Sequence, residues 1–530
     1  MSEGTVPGVL FLYVLDAVLL AVPVSLVLIR LYRRTVERAM RVAAAARESE
    51  GPSSDVPGPQ ERRSPAELGN RDRPVQLRLA LLYAVAGASA AAVWTWLYFR
   101  TPGLGFSWLR GFVVWYVYCF PVPATVVTLL AIPWRRALWI AVAYVAAGML
   151  AVVVWSTLRR FILGQPSVRP MFNLQSFLFL LLLEASLPAI IILIASNRRI
   201  RGVSPLALAA LLVFTFSSVG AREIFVRLLE VGGLRRPLLE IGVNGWFLVA
   251  TVPVGYLCWR LLKLLNAGYR RKSFSDVQLV VDSFWLIVAF VFSAQYASDF
   301  GWKGIAGLAG FVAYRAIVQA GLVIWPPPQE PGMRLLVLRV FGFRGRAEKL
   351  FDSVAQRWRF RGGVSMIAGT DLAARTIDPD DTLAFLAGDL RSRFVQGPND
   401  LQAHLRRLDP RRDPDGRFRI TEFFCHENTW SDTLSTLLGR SDAILMDLRG
   451  FSEKNQGCIF ELHQLAAQHR LPDTVFVVDA SSDVKLLEST VDMPGPYTGA
   501  SPRLRVEKVE SEAAAERERV YRSLSLAKAG

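Results

Sequence analysis

The side chains best suited to chemistry lie in one stretch of the chain, residues 447–462. Its sequence is Asp-Leu-Arg-Gly-Phe-Ser-Glu-Lys-Asn-Gln-Gly-Cys-Ile-Phe-Glu-Leu. The pattern predicts a buried strand at 442–448, a polar loop, and a helix at 457–468 whose first turn presents Glu461. Parallel α/β sheets hold their ligands where such a loop joins a strand to a helix. Glu461 is therefore the candidate for catalysis, and the loop before it is a candidate for binding.

A carboxylate at this position suits the cleavage of an N-glycosidic bond. That reaction passes through a positively charged, oxocarbenium-like state, which a nearby carboxylate stabilises or traps covalently. Polar groups beside it would bind the sugar, and glycines and arginines at another helix start would cradle a phosphate. The expected nucleotide- and ribose-binding residues are Asp447, Ser452, Asn455, Gly457, Gly342, Arg344 and Arg346.

Structural roles compete with these assignments. The helix dipole alone favours a glutamate in the first turn of a helix, which offers a purely structural role for Glu461. Asp447 would also serve to cap a turn, and the arginines at 344–346 would also face solvent or a membrane surface. The sequence leaves these alternatives open.

The first three-fifths of the chain has the composition of a membrane protein. The 530 residues are 52% hydrophobic with a mean hydropathy of +0.31, and charged residues are scarce between about 79 and 325. The apolar segments there are about 20 residues long, which is enough to cross a hydrocarbon core. They predict a polytopic α-helical domain at 1–325 with about nine spans, at 6–29, 79–98, 111–132, 137–157, 172–196, 203–220, 241–261, 277–298 and 304–325.

Basic loops account for much of the net charge of +16. Arg and Lys are concentrated in the loops after every second span, beginning with the loop at 30–78. Because basic loops stay in the cytoplasm, the amino terminus is expected outside and the carboxyl terminus in the cytoplasm of a bacterial inner membrane. The lipid bilayer is the expected partner and a homo-oligomer is a further expectation. Nucleic acid is not expected, since such loops are ordinary in membrane proteins.

Four ionisable residues fall inside predicted spans, where a charge is costly: Asp16, Glu184, Asp282 and Arg315. An ion path or transporter would use such groups, with Glu184 paired to Arg315. The structural alternative is one or two buried ion pairs that only hold helices together. No internal repeat of the transporter kind is visible, which favours the structural alternative.

The pattern changes after a Pro- and Gly-rich linker at 326–332. From 333 to 501, short apolar strands alternate with amphipathic helices, and the strands are predicted at 334–341, 363–368, 417–424, 442–448 and 474–479. This alternation predicts a cytoplasmic, Rossmann-like α/β domain with a mainly parallel sheet covered on both faces. Residues 502–530 are charged and are expected to form a tail. The four cysteines have no regular spacing, so no metal site is expected.

The segment around Glu461 resembles two known families. Residues 457–462, Gly-Cys-Ile-Phe-Glu-Leu, resemble the G-x-x-x-E-L helix start of nucleoside 2-deoxyribosyltransferase-like proteins. Residues 458–462, with Ser452 upstream, are also similar to the S…W-C-x-x-E-L segment of TIR domains, although Gly457 stands where those domains carry tryptophan. Both resemblances imply a Rossmann-like fold in which Glu461 is the catalytic carboxylate at the glycosidic carbon of a nucleoside or of NAD.

The sequence thus supports three functional hypotheses. The first is a membrane-anchored domain that binds a nucleotide such as NAD and cleaves its N-glycosidic bond. The second is a non-catalytic, membrane-bound sensor or interaction module. The third is a transporter or channel that the cytoplasmic domain regulates. The sequence contains no P-loop motif and no G-x-S-x-G motif.

Overall fold

A computed structural model describes most of the chain. The described residues are 6–42, 72–101, 105–163 (without 131 and 133), isolated positions between 175 and 229, 235–326, 332–339, 346–368, 379–407, 411–491 (without 427 and 428) and 504–525 (without 512). Contacts divide it into two units. The first comprises residues 1–30, 76–326 and 377–387, and the second comprises residues 31–75, 327–376 and 388–530.

The amino-terminal region is helical. Its helices are α1 (Val6–Val42), α2 (Asp72–Tyr98), α3 (Trp108–Tyr118), α4 (Pro121–Leu129), α5 (Trp134–Leu163), α6 (Arg235–Arg270), α7 (Asp276–Phe300) and α8 (Leu308–Ile324). A 3-10 helix at Gly301–Gly307 joins α7 to α8.

Five segments in the described residues are helical, long and apolar enough to cross a membrane: Pro74–Tyr98, Arg110–Leu129, Arg135–Val154, Asp276–Ala297 and Lys303–Ile324. They match five of the predicted spans, and their length and composition are those of membrane-spanning helices. The prediction of about nine spans is not supported. The predicted spans at 172–196 and 203–220 lie largely outside the described residues. Those at 6–29 and 241–261 fall within α1 and α6, which contain Pro23 and Pro253 and are not among the five.

Aromatic side chains form the centre of the first unit. The rings of Trp94 and Trp285 stack at a centroid distance of 6.0 Å, and Trp285 stacks on Tyr314 at 4.9 Å. Trp94 also donates its indole N–H to the carbonyl of Gly307 at 2.8 Å. A Cβ atom at Gly310 would lie only 2.3 Å from the Trp94 ring, so only glycine allows α8 to approach α2 this closely.

A short helix from the carboxyl-terminal part of the sequence belongs to the first unit. It is α10 (Pro379–Leu386), which lies between two strands along the chain. Its Leu383 is fully buried in a cluster with Leu206, Tyr269 and Leu279. A 3-10 turn and a two-residue strand follow it at 390–395.

The second unit contains a seven-stranded sheet in which every pairing is parallel. The strands are β1 (Met333–Arg339), β2 (Gly362–Ala368), β3 (Phe394–Val395), β4 (Ile420–Cys425), β5 (Ala443–Asp447), β6 (Thr474–Val478) and β7 (Arg505–Lys508). Their order is β3-β4-β2-β1-β5-β6-β7. The predicted Rossmann-like parallel sheet is therefore confirmed.

Helices cover both faces of this sheet. They are α9 (Arg346–Trp358), α11 (Pro398–Arg407), α12 (Trp430–Arg440), α13 (Gln456–Ala467), α14 (Val484–Val491) and α15 (Ala514–Ser525). Alternate strand residues point to opposite faces. Leu336, Ile444 and Phe476 pack with α11 to α14, while Leu335, Leu445 and Val475 pack with α9 and α15.

The carboxyl-terminal residues, expected to form a charged tail, complete the domain. Residues 505–508 add strand β7 to the edge of β6. On α15, Val520, Tyr521 and Leu524 are buried against the sheet. Arg357 of α9 lies over the ring of Tyr521 at 3.9 Å and also pairs with Glu518. The many charged residues of this segment made it look like a solvated tail, although a narrow apolar face of α15 packs on the sheet.

Candidate functional site

The order of the strands identifies the point in the sheet where a ligand is expected. From β1 the chain proceeds to one side, through β2 to β4, and then returns to the other side of β1 with β5. Open α/β sheets bind ligands at such a switch point, outside the carboxyl ends of the two strands. Here those ends are Arg339 and Asp447, which are direct register partners. The loop predicted to bind a ligand leaves β5 at this point.

Glu461 lies on the helix that follows β5. Helix α13 begins at Gln456, so Glu461 is in its second turn, and the predicted first-turn position is wrong. The helix starts one residue early because Asn455 accepts the backbone N–H groups of Cys458 and Ile459 on its carbonyl. The dipole effect fades beyond the first turn, which weakens the purely structural explanation of Glu461. Its buried neighbours on the helix are Cys458, Leu462 and Leu465.

The carboxyl group of Glu461 is buried without compensation. The residue is 2% exposed, and its Oε2 atom has no hydrogen-bond partner among the described residues. Burial raises the pKa of Glu461 to about 8. The carboxyl is therefore mostly protonated at pH 7 in this state. A buried polar group without a partner costs free energy, and such groups cluster at functional sites.

A thiol joins α13 to the switch point. The Sγ atom of Cys458 lies 3.7 Å from the carbonyl oxygen of Arg339, the last residue of β1. Because Cys458 lies about one helical turn before Glu461, this contact holds the part of α13 that precedes Glu461 close to the end of β1.

Asp447, an expected ribose ligand, is occupied by an arginine two residues later. Arg449 donates from Nε to Oδ1 at 2.9 Å and from Nη2 to Oδ2 at 2.7 Å, and both side chains are buried. The Arg449 backbone N–H also lies 3.3 Å from Oδ1. Asp447 therefore caps the turn after β5, which is the structural role considered for it above, and it also forms an ion pair with Arg449.

Ser452 and Asn455, both predicted to bind the ligand, lie next to each other and form hydrogen bonds with each other. Asn455 Oδ1 accepts the backbone N–H of Ser452 at 2.9 Å and its hydroxyl at 3.1 Å. This turn directs the chain into α13. Gly457 follows, and a Cβ atom there would meet nothing within 4 Å, so open space lies beside it.

The predicted phosphate cradle lies mostly beyond the described part of the chain. Gly342 and Arg344 are outside the described residues. Arg346 is the first residue of α9, and only its backbone is described. In the sequence, these residues lie between β1 and α9, whereas Glu461 follows β5.

A further polar centre, which the sequence analysis did not identify, lies beside the β5 loop. Asp479 follows β6, and its Oδ1 atom accepts the Gly450 backbone N–H at 3.1 Å and the Ser481 hydroxyl at 2.7 Å. Burial raises the pKa of Asp479, but the hydrogen bonds from Ser481, Ser482 and Gly450 outweigh it and leave the pKa below its usual range. The available signal was an acidic residue directly after the apolar run at 474–478, the same pattern as Asp447 after 443–446.

Of the four ionisable residues in the predicted spans, Asp282 and Arg315 have described side chains, whereas Asp16 and Glu184 do not. Arg315 pairs with Asp282 at 2.5 Å, and Asp282 also accepts the Tyr314 hydroxyl at 2.9 Å. This ion pair joins α7 to α8, so both residues have the structural role that the sequence analysis offered as the alternative to an ion path. Asp16 is placed only as a backbone position in α1, and Glu184 lies outside the described residues.

Comparison with known proteins adds no identity to this geometry. No family model, no curated protein and no solved structure matches the chain. Function therefore has to be argued from the site itself.

Proposed function

We propose that the α/β domain binds a nucleotide, such as NAD or a nucleoside, at the β1/β5 switch point, and that Glu461 acts on its N-glycosidic bond. The observation that carries this proposal is the buried Oε2 of Glu461, for which the described residues offer no hydrogen-bond partner. Glu461 lies on the helix that follows β5, one of the two strands whose carboxyl ends bound the switch point. The resemblance of residues 457–462 to deoxyribosyltransferase-like proteins and TIR domains points to the same residue.

The electrostatics of the site fit this chemistry in one specific way. An apolar surrounding that holds the pKa of Glu461 at about 8 penalises its negative charge. A positively charged group beside the carboxyl would remove that penalty. The pyridinium ring of NAD and the oxocarbenium-like state of glycosidic cleavage are both positive, so the interaction with Glu461 strengthens as positive charge develops.

Location of the domain in the cytoplasm is part of the proposal. Clusters of basic residues, for example Arg135 with Arg136 and Arg270 with Arg271, support a cytoplasmic side for those loops. Nucleotides are also abundant in that compartment. Protease digestion of inside-out and right-side-out vesicles tests this directly, because a cytoplasmic domain is digested only in the inside-out ones.

The enzymatic proposal is tested with the full-length chain in lipid nanodiscs, incubated with NAD and with nucleosides. Release of the free base is followed by chromatography for the unaltered protein, for Glu461→Gln and for Glu453→Gln. Glu453 is an exposed carboxylate on the same loop and serves as the matched control. We expect release by the unaltered protein and the control, and none by Glu461→Gln.

A non-catalytic binding module is the second candidate function. Two observations favour it: Glu461 is mostly neutral at pH 7, and Asp447 is already paired with Arg449. This candidate predicts ligand binding without release of a base. The same protein preparations distinguish it from the enzyme, because binding is measured independently of turnover.

A further inference from the structure

We propose that Asp479 is a second ligand-binding residue of this site, and that it accepts a hydrogen bond from a ribose hydroxyl. The site would then prefer ribonucleotides over their deoxy analogues. This inference rests on the proposed nucleotide-binding function and specifies the sugar that the site selects.

The first step is that Asp479 is held in a fixed position. Its Oδ1 atom accepts the backbone N–H of Gly450 at 3.1 Å, the backbone N–H of Ser481 at 3.0 Å and the Ser481 hydroxyl at 2.7 Å. The Ser482 hydroxyl lies 2.9 Å from both Oδ1 and the carbonyl of Leu448, and its single proton serves one of them. One carboxylate oxygen is thus saturated by the two loops beside it.

The second step concerns the other oxygen of the same carboxylate. Oδ2 accepts no hydrogen bond from the described residues, and it is not one of the fully buried atoms, so it is open to solvent or to a ligand. The hydrogen bonds at Oδ1 keep the group ionised at neutral pH. Asp479 therefore offers one fixed, strong and unused acceptor.

The third step is position. Asp479 follows β6, which pairs directly with β5. The Gly450 amide that it binds belongs to the loop that leads from β5 to Glu461. The backbone N–H of Asp483 also donates to the carbonyl of Phe451 at 2.9 Å, so the two loops are joined by several hydrogen bonds. The loop that carries Asp479 thus meets the loop that leads into helix α13 and Glu461, at the carboxyl edge of the sheet.

The chemistry of Asp479 selects among the parts of a nucleotide. An ionised carboxylate accepts hydrogen bonds and repels phosphate, so it does not suit the phosphate end. The sugar carries neutral hydroxyl donors, and the sugar is the part that must lie near Glu461 for glycosidic cleavage. A metal is a poorer fit, because no cluster of three His, Cys, Asp or Glu ligands occurs among the described residues.

The test uses the full-length chain in nanodiscs with Glu461→Gln, so that the ligand is not consumed. Dissociation constants are measured for NAD and for two analogues whose nicotinamide-side ribose lacks the 2′- or the 3′-hydroxyl. Each is measured with and without Asp479→Asn. Asparagine keeps an Oδ1 acceptor for the loop amides and changes only Oδ2 into a donor. Asp483→Asn is the matched control, because its Oδ1 contact with the Leu486 backbone N–H is also preserved.

We expect Asp479→Asn to weaken NAD binding by about tenfold or more, the usual effect of losing a charged hydrogen bond. The analogue that lacks the hydroxyl bound by Asp479 should bind with the same affinity whether or not the protein carries Asp479→Asn. If NAD binds and neither the variant nor the analogues change its affinity, Asp479 only anchors the loop and the inference is overturned, while the proposed function stands. If Asp479→Asn does not fold, the analogues on the Asp479 protein decide the matter. If NAD and nucleosides neither bind nor release base, the proposed function fails and this inference fails with it.

Discussion

Cys458 and Arg339 connect the two segments that bound the switch point. The Cys458 thiol, in the first turn of α13, donates to the carbonyl oxygen of Arg339 at the end of β1, with Sγ and oxygen 3.7 Å apart. The contact bridges residues that are far apart in sequence and sets α13 against β1 rather than against β5 alone. Glu461, one turn further along α13, is held beneath the same strand ends. The position of the Glu461 carboxyl therefore depends on tertiary contacts and not on the local sequence alone.

Replacing Glu461 by glutamine should change how stability depends on pH. The pKa of Glu461 is raised to about 8 in the folded protein, above its value of about 4.5 in an unfolded chain. The stability that this shift contributes is fully present below about pH 4.5, where both states are protonated, and it is lost as the pH rises from 4.5 to 8, because only the unfolded chain is deprotonated there. The unaltered protein should lose on the order of 1.4 kcal/mol per pH unit in that window relative to Glu461→Gln. Thermal unfolding in detergent between pH 5 and pH 9 measures the difference. An identical pH dependence for both proteins would contradict an uncompensated carboxyl.

Gly457→Ala separates a structural from a ligand-contacting role. A Cβ atom at this position meets nothing within 4 Å, and alanine is the better helix former. We expect the variant to be at least as stable as the unaltered protein, with a gain of about 0.5–1 kcal/mol at most. If a ligand approaches the helix start closely, its affinity should fall although stability does not. Unchanged binding would show that Gly457 does not contact the ligand.

The segment 505–525 should be essential for the α/β domain. A chain that ends at residue 501 loses strand β7 and the buried side chains Val520, Tyr521 and Leu524. We expect this truncated chain to aggregate or to unfold without a cooperative transition. In the full chain, Tyr521→Ala should cost about 3 kcal/mol or more by loss of buried packing. Lys508→Ala, at an exposed position on the edge strand, is the control and should change stability little. A folded, monomeric protein ending at 501 would contradict this account.

The pair of Asp282 and Arg315 should stabilise the helical unit as a pair. Asp282→Asn leaves Arg315 without its carboxylate partner between α7 and α8, and should cost on the order of 1–3 kcal/mol. Arg315→Gln should cost a similar amount, and the double variant should cost less than the sum because the two residues interact. Thermal unfolding in detergent of all four proteins gives the coupling. Additive effects would mean that the contact contributes nothing.

Periodicity in the sequence was sufficient for the main elements of both regions. Continuous apolar runs predicted the five spans that the structure supports, and alternation of strands and helices predicted the parallel sheet. The strand order could not be predicted, because it depends on which helix packs on which face. The position of α10 in the first unit was equally invisible, since Leu383 looks like any apolar helix residue until its neighbours are known.

The candidate site was predictable only in part, for a related reason. Glu461 could be singled out from its local segment, but its burial and its unused oxygen depend on α13 packing beside β1. Asp447 could be recognised as a polar residue at a strand end, whereas its capture by Arg449 depends on the geometry of the loop. Asp479 has the same sequence signature as Asp447, and only the hydrogen bonds between their loops, such as that from Gly450, reveal that the loops meet.

The most direct test of the central claim is the pH dependence of base release by the full-length protein, compared with Glu461→Gln. If the ionised carboxylate of Glu461 acts at the glycosidic bond, release from NAD or a nucleoside at limiting substrate should rise with pH towards a plateau above about pH 8. Glu461→Gln should release no base at any pH while still binding the ligand. Release by Glu461→Gln at the rate of the unaltered protein would show that Glu461 does not carry the reaction.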